Sequence, residues 1–312
     1  MPHPFALIEI ENLQLSQIEA FFQSALQFAR QAQEQIPVPS SSRGPRKTVA
    51  LLFFEPSTRT RFSFETAAAR LEVHPLLLDA AMGTSLEKGE SFEDTVLNLA
   101  AMQPSALVIR CNDTVNLHEL QDQVSMPILN AGWGRRAHPT QALLDALTFV
   151  ANGRDLKKEK LLVIGDVKHS RVIGSHFQLC KLLGYEIAIC GPQKFLPENY
   201  RGRSFVKLEE GLKWATSLMA LRLQHERHDP AGGASASNAS LREYRAQYGL
   251  DLARLRGFES DGFLLHPGPV NYGVELELNV NEDSRCKILE QVKWGTYLRQ
   301  AVLARAIFQG QE

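Results

Sequence analysis

Thr48–Arg70 reads TVALLFFEPSTRTRFSFETAAAR: an apolar run, a stop and a helical run in immediate succession. Thr48 to Phe54 has the length and β-branched, aromatic content of a buried strand. Glu55-Pro56 ends it, and the residues from Ser57 to Arg70 open a helix for which Ser57 or Thr58 is a natural N-cap. A helix N-terminus carries unpaired backbone N–H groups and a partial positive charge. Ser57, Thr58 and Thr60 add hydroxyls there, and Arg59 and Arg61 add guanidinium groups. That set makes the end of the strand an anion receptor, with phosphate as the natural ligand.

Working outward, the same strand–helix alternation recurs on both sides. Leu13–Ile36 has helical spacing, and Pro37–Lys47 is a loop rich in Pro and Ser. Leu76–Asp79, Ala106–Arg110 and Pro127–Asn130 read as strands, separated by helices over Phe92–Met102 and Asn116–Val124. Thr140–Asn152 reads as a helix bridging two domains. Leu161–Asp166 starts a second alternation: a helix over Ser170–Gly184, strands at Glu186–Cys190, Leu218–Leu221 and Gly262–Leu265, and a helix from Ser240 to Leu255. Residues 231–240, AGGASASNAS, read as a mobile loop, and Asp283–Gln309 as the closing helix. Alternating strands and helices predict an α/β fold of two similar domains, each a parallel sheet flanked by helices, with an interdomain active-site cleft. The expected division is 1–137 with 288–312, an interdomain helix at 138–152, and a second domain at 153–287.

The chain has 312 residues, 22% charged and 44% hydrophobic, with a formal net charge of −1. This is the composition of a soluble globular protein and gives no case for nucleic acid or a membrane surface as partner. No apolar run has membrane-spanning length, and the N-terminal MPHPFALIEIENL lacks the layout of a signal peptide, so a cytoplasmic protein is expected. Cys111, Cys180, Cys190 and Cys286 form no C-x-x-C pair and read as free thiols.

Most predicted strands lead into a chemically capable residue. Phe54 leads to Ser57–Arg61, Ile109 to Arg110, Leu129 toward His138, Ile164 to Asp166–Arg171, Leu221 to Arg222, and Leu265 to His266–Pro269. Parallel sheets bind ligands at the carboxyl ends of their strands, so these groups are candidates for one site. There is no G-x-G-x-x-G, no Walker pattern, no nucleophile elbow and no histidine pair at zinc spacing, so neither cofactor nor metal is expected. Arginines, a histidine, hydroxyls and an amide suit anion binding and polarisation of an oxygen rather than covalent catalysis. His266, beside a Pro-rich turn, reads as structural.

Ser57-Thr58-Arg59-Thr60-Arg61, Lys88-Gly89-Glu90, the run from His138 to Asp145 (HPTQALLD), the run from Gly165 to Val172 (GDVKHSRV), Arg222-Leu223-Gln224 and the run from His266 to Asn271 (HPGPVN) together resemble the aspartate/ornithine carbamoyltransferase family, in order and over nearly the whole chain. Ornithine-specific members carry an Asp…Ser-Met-Gly segment and a Cys in an HCLP turn. Here Arg222-Leu223-Gln224 and Gly268 stand in those places, which resembles the aspartate-specific branch. The resemblance implies transfer of a carbamoyl group from carbamoyl phosphate to L-aspartate, in pyrimidine biosynthesis. It implies that Ser57, Thr58, Arg59 and Thr60 hold the phosphate with Arg110, and that Thr60, Arg110 and His138 face the carbonyl oxygen. Gln141 and the backbone around Pro267, Gly268 and Pro269 would hold the carbamoyl nitrogen, while Arg171, Arg222 and Gln224 bind the aspartate carboxylates. Ser85 and Lys88 would come from a neighbouring subunit of a homotrimer, which regulatory chains or a dihydroorotase could join. The resemblance leaves two other readings open: a carbamoyltransferase for another amino acid, and a silent scaffold subunit. Trp133 stands where relatives usually have an acidic residue, and Tyr272 where arginine is common. An indole cannot accept as a carboxylate does, so the loop before His138 is expected to be held differently.

Overall fold

The structure is a computed structural model that describes residues 5–35, 46–79, 89–223, 234–259 and 261–308, with backbone alone for 234–239. The chain divides into two compact units: residues 1–147 with 174–179 and 292–312, and residues 148–173 with 180–291.

The first unit contains α1 (Leu15–Gln33), β1 (Thr48–Phe53), α2 (Thr58–Arg70), β2 (His74–Asp79), α3 (Phe92–Ala101), β3 (Ala106–Cys111), α4 (Leu117–Gln123) and β4 (Ile128–Trp133). Its four strands pair in the order β2-β1-β3-β4, all parallel. β1 and β3 are buried almost throughout, as continuous apolar strands between helical layers should be. Ala50, Leu52, Leu107 and Ile109 pack with Val96 of α3 and Leu117 and Leu120 of α4 in one apolar cluster.

The helix α5 (Pro139–Ala151) runs across the unit boundary. The second unit adds β5 (Lys160–Ile164), α6 (Arg171–Leu183), β6 (Glu186–Cys190), β7 (Arg203–Phe205), α7 (Leu208–Trp214), β8 (Ser217–Ala220), α8 (Ala234–Tyr248), α9 (Leu252–Leu255) and β9 (Phe263–Leu265). Its five strands pair in the order β7-β6-β5-β8-β9, again all parallel. Leu162, Ile164, Ala188, Leu218 and Ala220 pack with Leu208, Leu212, Tyr244 and Tyr248 of its helices. The last helix, α10 (Ile288–Phe308), is shared between the units.

The expected alternation and parallel sheets are present, with β7 and α7 as unpredicted elements and four further local differences. β4 continues through Gly132 to Trp133, because Trp133 bonds on to Ala137. α8 begins at Ala234, inside the Ala/Ser stretch read as a loop, since alanine favours helix and no proline interrupts it. The helix expected to reach Leu255 stops at Tyr248. Gly249 lies where a Cβ would come within 2.8 Å of Arg245 and Val274 carbonyls, and Leu250 then bonds to Glu275. α10 starts at Ile288 rather than Asp283, because a 3₁₀ turn at Leu278–Glu282 and the Asp283–Arg285 ion pair occupy the approach.

Both sheets have a topological switch point. Connections leave β1 and β3 toward opposite edges in the first sheet, and β5 and β8 likewise in the second. Ligand crevices of open α/β sheets form outside the carboxyl ends of such strand pairs. Phe53 at the end of β1 is in register with Arg110 on β3, and Ile164 at the end of β5 with Ala220 on β8.

Candidate active site

Ser57 takes an extended N-cap conformation at the head of α2, and its hydroxyl makes no capping bond to the helix. Thr58 is exposed, Ser57 and Arg59 are half-buried, and Thr60 is buried. Arg61 turns away to pair with Glu65 at 2.9 Å, one turn along the helix. Phe54 donates its N–H to the Arg110 carbonyl, so the chain enters the helix beside β3. Arg110 itself is half-buried, donates to the Ala131 carbonyl at 3.3 Å and lies 3.7 Å from Glu55. The first switch point therefore carries Ser57, Arg59, Thr60 and Arg110 around one helix N-terminus.

His138 is buried and immediately precedes α5, where Pro139 fits the first helical position. Its backbone N–H donates to Ser175 Oγ at 3.0 Å, and its carbonyl starts the helix by accepting from Gln141 and Ala142. The turn leading to it is held by Trp133. This residue is 1% exposed, donates Nε1–H to the Val115 carbonyl at 2.8 Å, meets the His118 ring edge-on, and carries the Arg136 guanidinium 4.7 Å over its face. The indole thus replaces acceptor chemistry with bulk, one donor and a cation–π contact.

Beneath these groups lies a buried polar cluster in which Gln141 is joined by Asp145, His176 and Arg299, residues that sequence reasoning left without roles. Gln141 Nε2 donates to Asp145 Oδ1 at 2.8 Å, and His176 Nε2 lies 3.0 Å from Asp145 Oδ2. Asp145 and His176 are essentially inaccessible. Arg299, 3% exposed, donates to Ser63 Oγ at 2.8 Å and lies 5.4 Å from the Phe64 ring centre. Burial pushes the Arg299 guanidinium down to about 9, opposed by the Asp145 charge and reinforced by Arg59. Burial also lowers Arg59, again opposed by Asp145. Asp145 is thus the common counter-charge of both arginines. The helical i, i+4 spacing of Gln141 and Asp145 was a sequence signal for this contact, and an arginine among Leu298, Ala301 and Val302 was another. His176 offered none.

In the second unit, Gly165 leaves β5 with φ +120°, and buried Asp166 pairs with His169 Nδ1 at 2.7 Å. That pair shapes the turn ahead of α6, whose first residue is half-buried Arg171. Half-buried Arg222 follows β8. The second switch point therefore carries Arg171 and Arg222. After β9, His266 Nδ1 accepts from the Gly268 N–H at 2.7 Å, while Nε2 faces buried Glu275 at 3.3 Å. Its own N–H donates to Gln291 Oε1. His266 is thereby an organiser of the turn, leaving Pro267 and Gly268 half-buried and Pro269 exposed. Tyr272 is exposed and accepts from Asn281. Ser85, Lys88 and Gln224 lie outside the described residues, as does the start of the 231–240 segment.

Comparison with known proteins places the chain in a family. Residues 6–151 match the model of the aspartate/ornithine carbamoyltransferase carbamoyl-P binding domain, and residues 157–306 match that of the Asp/Orn binding domain. An aspartate carbamoyltransferase catalytic subunit from Helicobacter hepaticus is 41% identical over 307 residues, covering 97% of this chain and 98% of the relative. One from Thermus aquaticus is 43% identical over 257 residues, covering 82% and 83%. Among solved structures, aspartate transcarbamoylase from Trypanosoma cruzi in complex with carbamoyl phosphate superimposes with a TM-score of 0.84 at 28% identity, covering 98% of this chain and 96% of that one. Its complex with N-(phosphonacetyl)-L-aspartic acid gives 0.83 at 28% identity, covering 98% and 96%. With both of its units matched by the family's two domain models, the chain belongs to the aspartate/ornithine carbamoyltransferases.

Proposed function

We propose that this chain is an aspartate carbamoyltransferase, converting carbamoyl phosphate and L-aspartate to N-carbamoyl-L-aspartate and phosphate for pyrimidine synthesis in the cytoplasm. The observation that supports the reading is that each sheet's switch point carries its own pair of arginines, suited to an anion. Ser57, Arg59, Thr60 and Arg110 stand at one, and Arg171 and Arg222 at the other. One substrate is a phosphate dianion and the other a dicarboxylate, so two separate clusters of guanidinium groups match the pair. Guanidinium forks suit both oxyanions by bidentate pairing.

In this reading the end of α2 fixes the phosphate with Ser57, Thr58, Arg59 and Thr60. Thr60, Arg110 and His138 polarise the carbonyl and stabilise the tetrahedral oxyanion. Gln141 and the backbone at Pro267–Pro269 hold the carbamoyl nitrogen. Arg171, Arg222 and Gln224 hold aspartate, and the surrounding positive field favours its neutral, nucleophilic amine. Attack forms the C–N bond, collapse breaks the C–O bond to phosphate, and the departing phosphate takes the amine proton. Ser85 and Lys88 complete the site from a neighbouring chain of a homotrimer.

The test is an amino-acid specificity assay with carbamoyl phosphate as donor and purified protein. Carbamoyl-aspartate and stoichiometric phosphate are expected with aspartate. Product with ornithine or another amine instead would transfer the assignment to a different acceptor, and no turnover at all would leave the chain a scaffold.

A further inference from the structure

Asp145 is fully buried on α5, one helical turn beyond Gln141 and two beyond His138. Of the two ends of a glutamine amide only the nitrogen donates, and the oxygen only accepts. The contact of 2.8 Å with Asp145 Oδ1 is made by the amide nitrogen of Gln141. The second oxygen is held by His176 Nε2 at 3.0 Å, so the carboxylate is fixed from the opposite side. With Nε2 committed, Gln141 is left with its carbonyl oxygen as the acceptor it can present to a ligand. Asp145 also acts electrostatically on Arg59, which ties the pair to the anion-binding end of α2.

We propose that Asp145 is a positioning residue that sets donor specificity. By locking the amide of Gln141 with its oxygen outward, it makes the site select a group bearing N–H donors, a carbamoyl, over an acetyl group of the same shape. The proposal rests on the assignment of Gln141 to the carbamoyl nitrogen. A methyl group cannot satisfy an outward carbonyl oxygen, and a polar group left unpaired in a closed site is disfavoured. Were the amide free to rotate, its NH₂ would face the ligand half the time and the discrimination would weaken.

The experiment compares KM for carbamoyl phosphate with the competitive Ki of acetyl phosphate and of inorganic phosphate, in wild type, D145A and D145N. D145A removes the acceptor, and D145N can meet Gln141 with either its oxygen or its NH₂. The preference for carbamoyl over acetyl phosphate is expected to fall about tenfold in D145A, the loss of one buried hydrogen bond, and by a smaller factor in D145N. Inorganic phosphate, which reaches only the anion receptor, should bind as in wild type or more tightly, since a negative charge beside Arg59 is gone. A preference unchanged in either folded variant overturns the proposal, as does an equal loss for all three ligands, which is what a merely structural carboxylate would give. If D145A does not fold, D145N decides alone. Wild-type protein that forms no carbamoyl-aspartate would instead remove the underlying functional reading.

Discussion

The backbone of His138 is anchored on both sides: its N–H is held by Ser175 Oγ and its carbonyl begins α5. Replacing it with alanine should therefore leave the helix intact and remove the proposed donor to the oxyanion. H138A is expected to lower kcat by about 10²–10³, with KM for aspartate nearly unchanged, in steady-state assays. Arg299 makes the opposite case, a buried cation kept against the preference of its surroundings. Its folded value, about 9, lies far below that of an unperturbed arginine. The unfolded chain therefore binds the proton more tightly, and the destabilisation is complete below pH 9 and relieved as pH rises above it. R299M removes that cost together with one counter-ion of Asp145, so its stability to urea relative to wild type should fall as pH rises from about 9 to about 10, where the wild type recovers. The same variant should raise KM for carbamoyl phosphate, because Arg59 would lose a neighbour that shares its counter-charge Asp145. A carbamoyl phosphate KM equal to wild type would reduce Arg299 to a packing residue. The residues proposed to bind the substrates could be singled out in the sequence because they sit in contiguous motifs. The Asp145–His176 contact joins residues 31 positions apart, on different helices, and no local pattern encodes it.

At the level of the element, the exit of β5 shows how the fold aims a side chain. Gly165 has φ +120°, and a Cβ there would lie 3.0 Å from both the Leu221 carbonyl and the Tyr244 hydroxyl. G165A must strain the backbone and push against β8's exit, a destabilisation of about 1–3 kcal/mol. Because Arg171 and Arg222 follow these two exits, KM for aspartate should rise in step, while the Ki of inorganic phosphate at the other switch point stays put. Urea melts and steady-state kinetics on one preparation check both. The long buried strands were readable as apolar runs, and the sheet class followed from their alternation with helices. β7 and α7 were not. Arg203–Phe205 is a short, largely exposed edge strand without an apolar run, and Leu208–Trp214 is too brief to display helical periodicity. The polar stretch before Ser240 was misjudged for the converse reason: low complexity says little about an Ala/Ser segment that can join a helix.

At the scale of the whole molecule, the proposed site needs groups that one chain does not supply to itself, Lys88 and His138 being assigned to different subunits. A head-to-tail interface repeated around a threefold axis closes into a ring and gives every chain one such shared site. Mixing K88A and H138A proteins, each nearly inactive, therefore has a quantitative outcome. A site recovers both groups when its His138 comes from the K88A chain and its Lys88 from the H138A neighbour. With equal amounts and random reassembly this happens at about one site in four, so about a quarter of wild-type activity should return. Exchange itself is followed independently with one variant carrying a mass tag, by native mass spectrometry. Recovery requires the trimers to reassort, so activity should rise with the appearance of mixed species and not before. Full exchange with activity no greater than the sum of the two parents would mean that each site is built from a single chain. The assignment of Lys88 to a neighbour would then be withdrawn, while the receptors proposed at the two switch points, whose residues come from one chain, would stand.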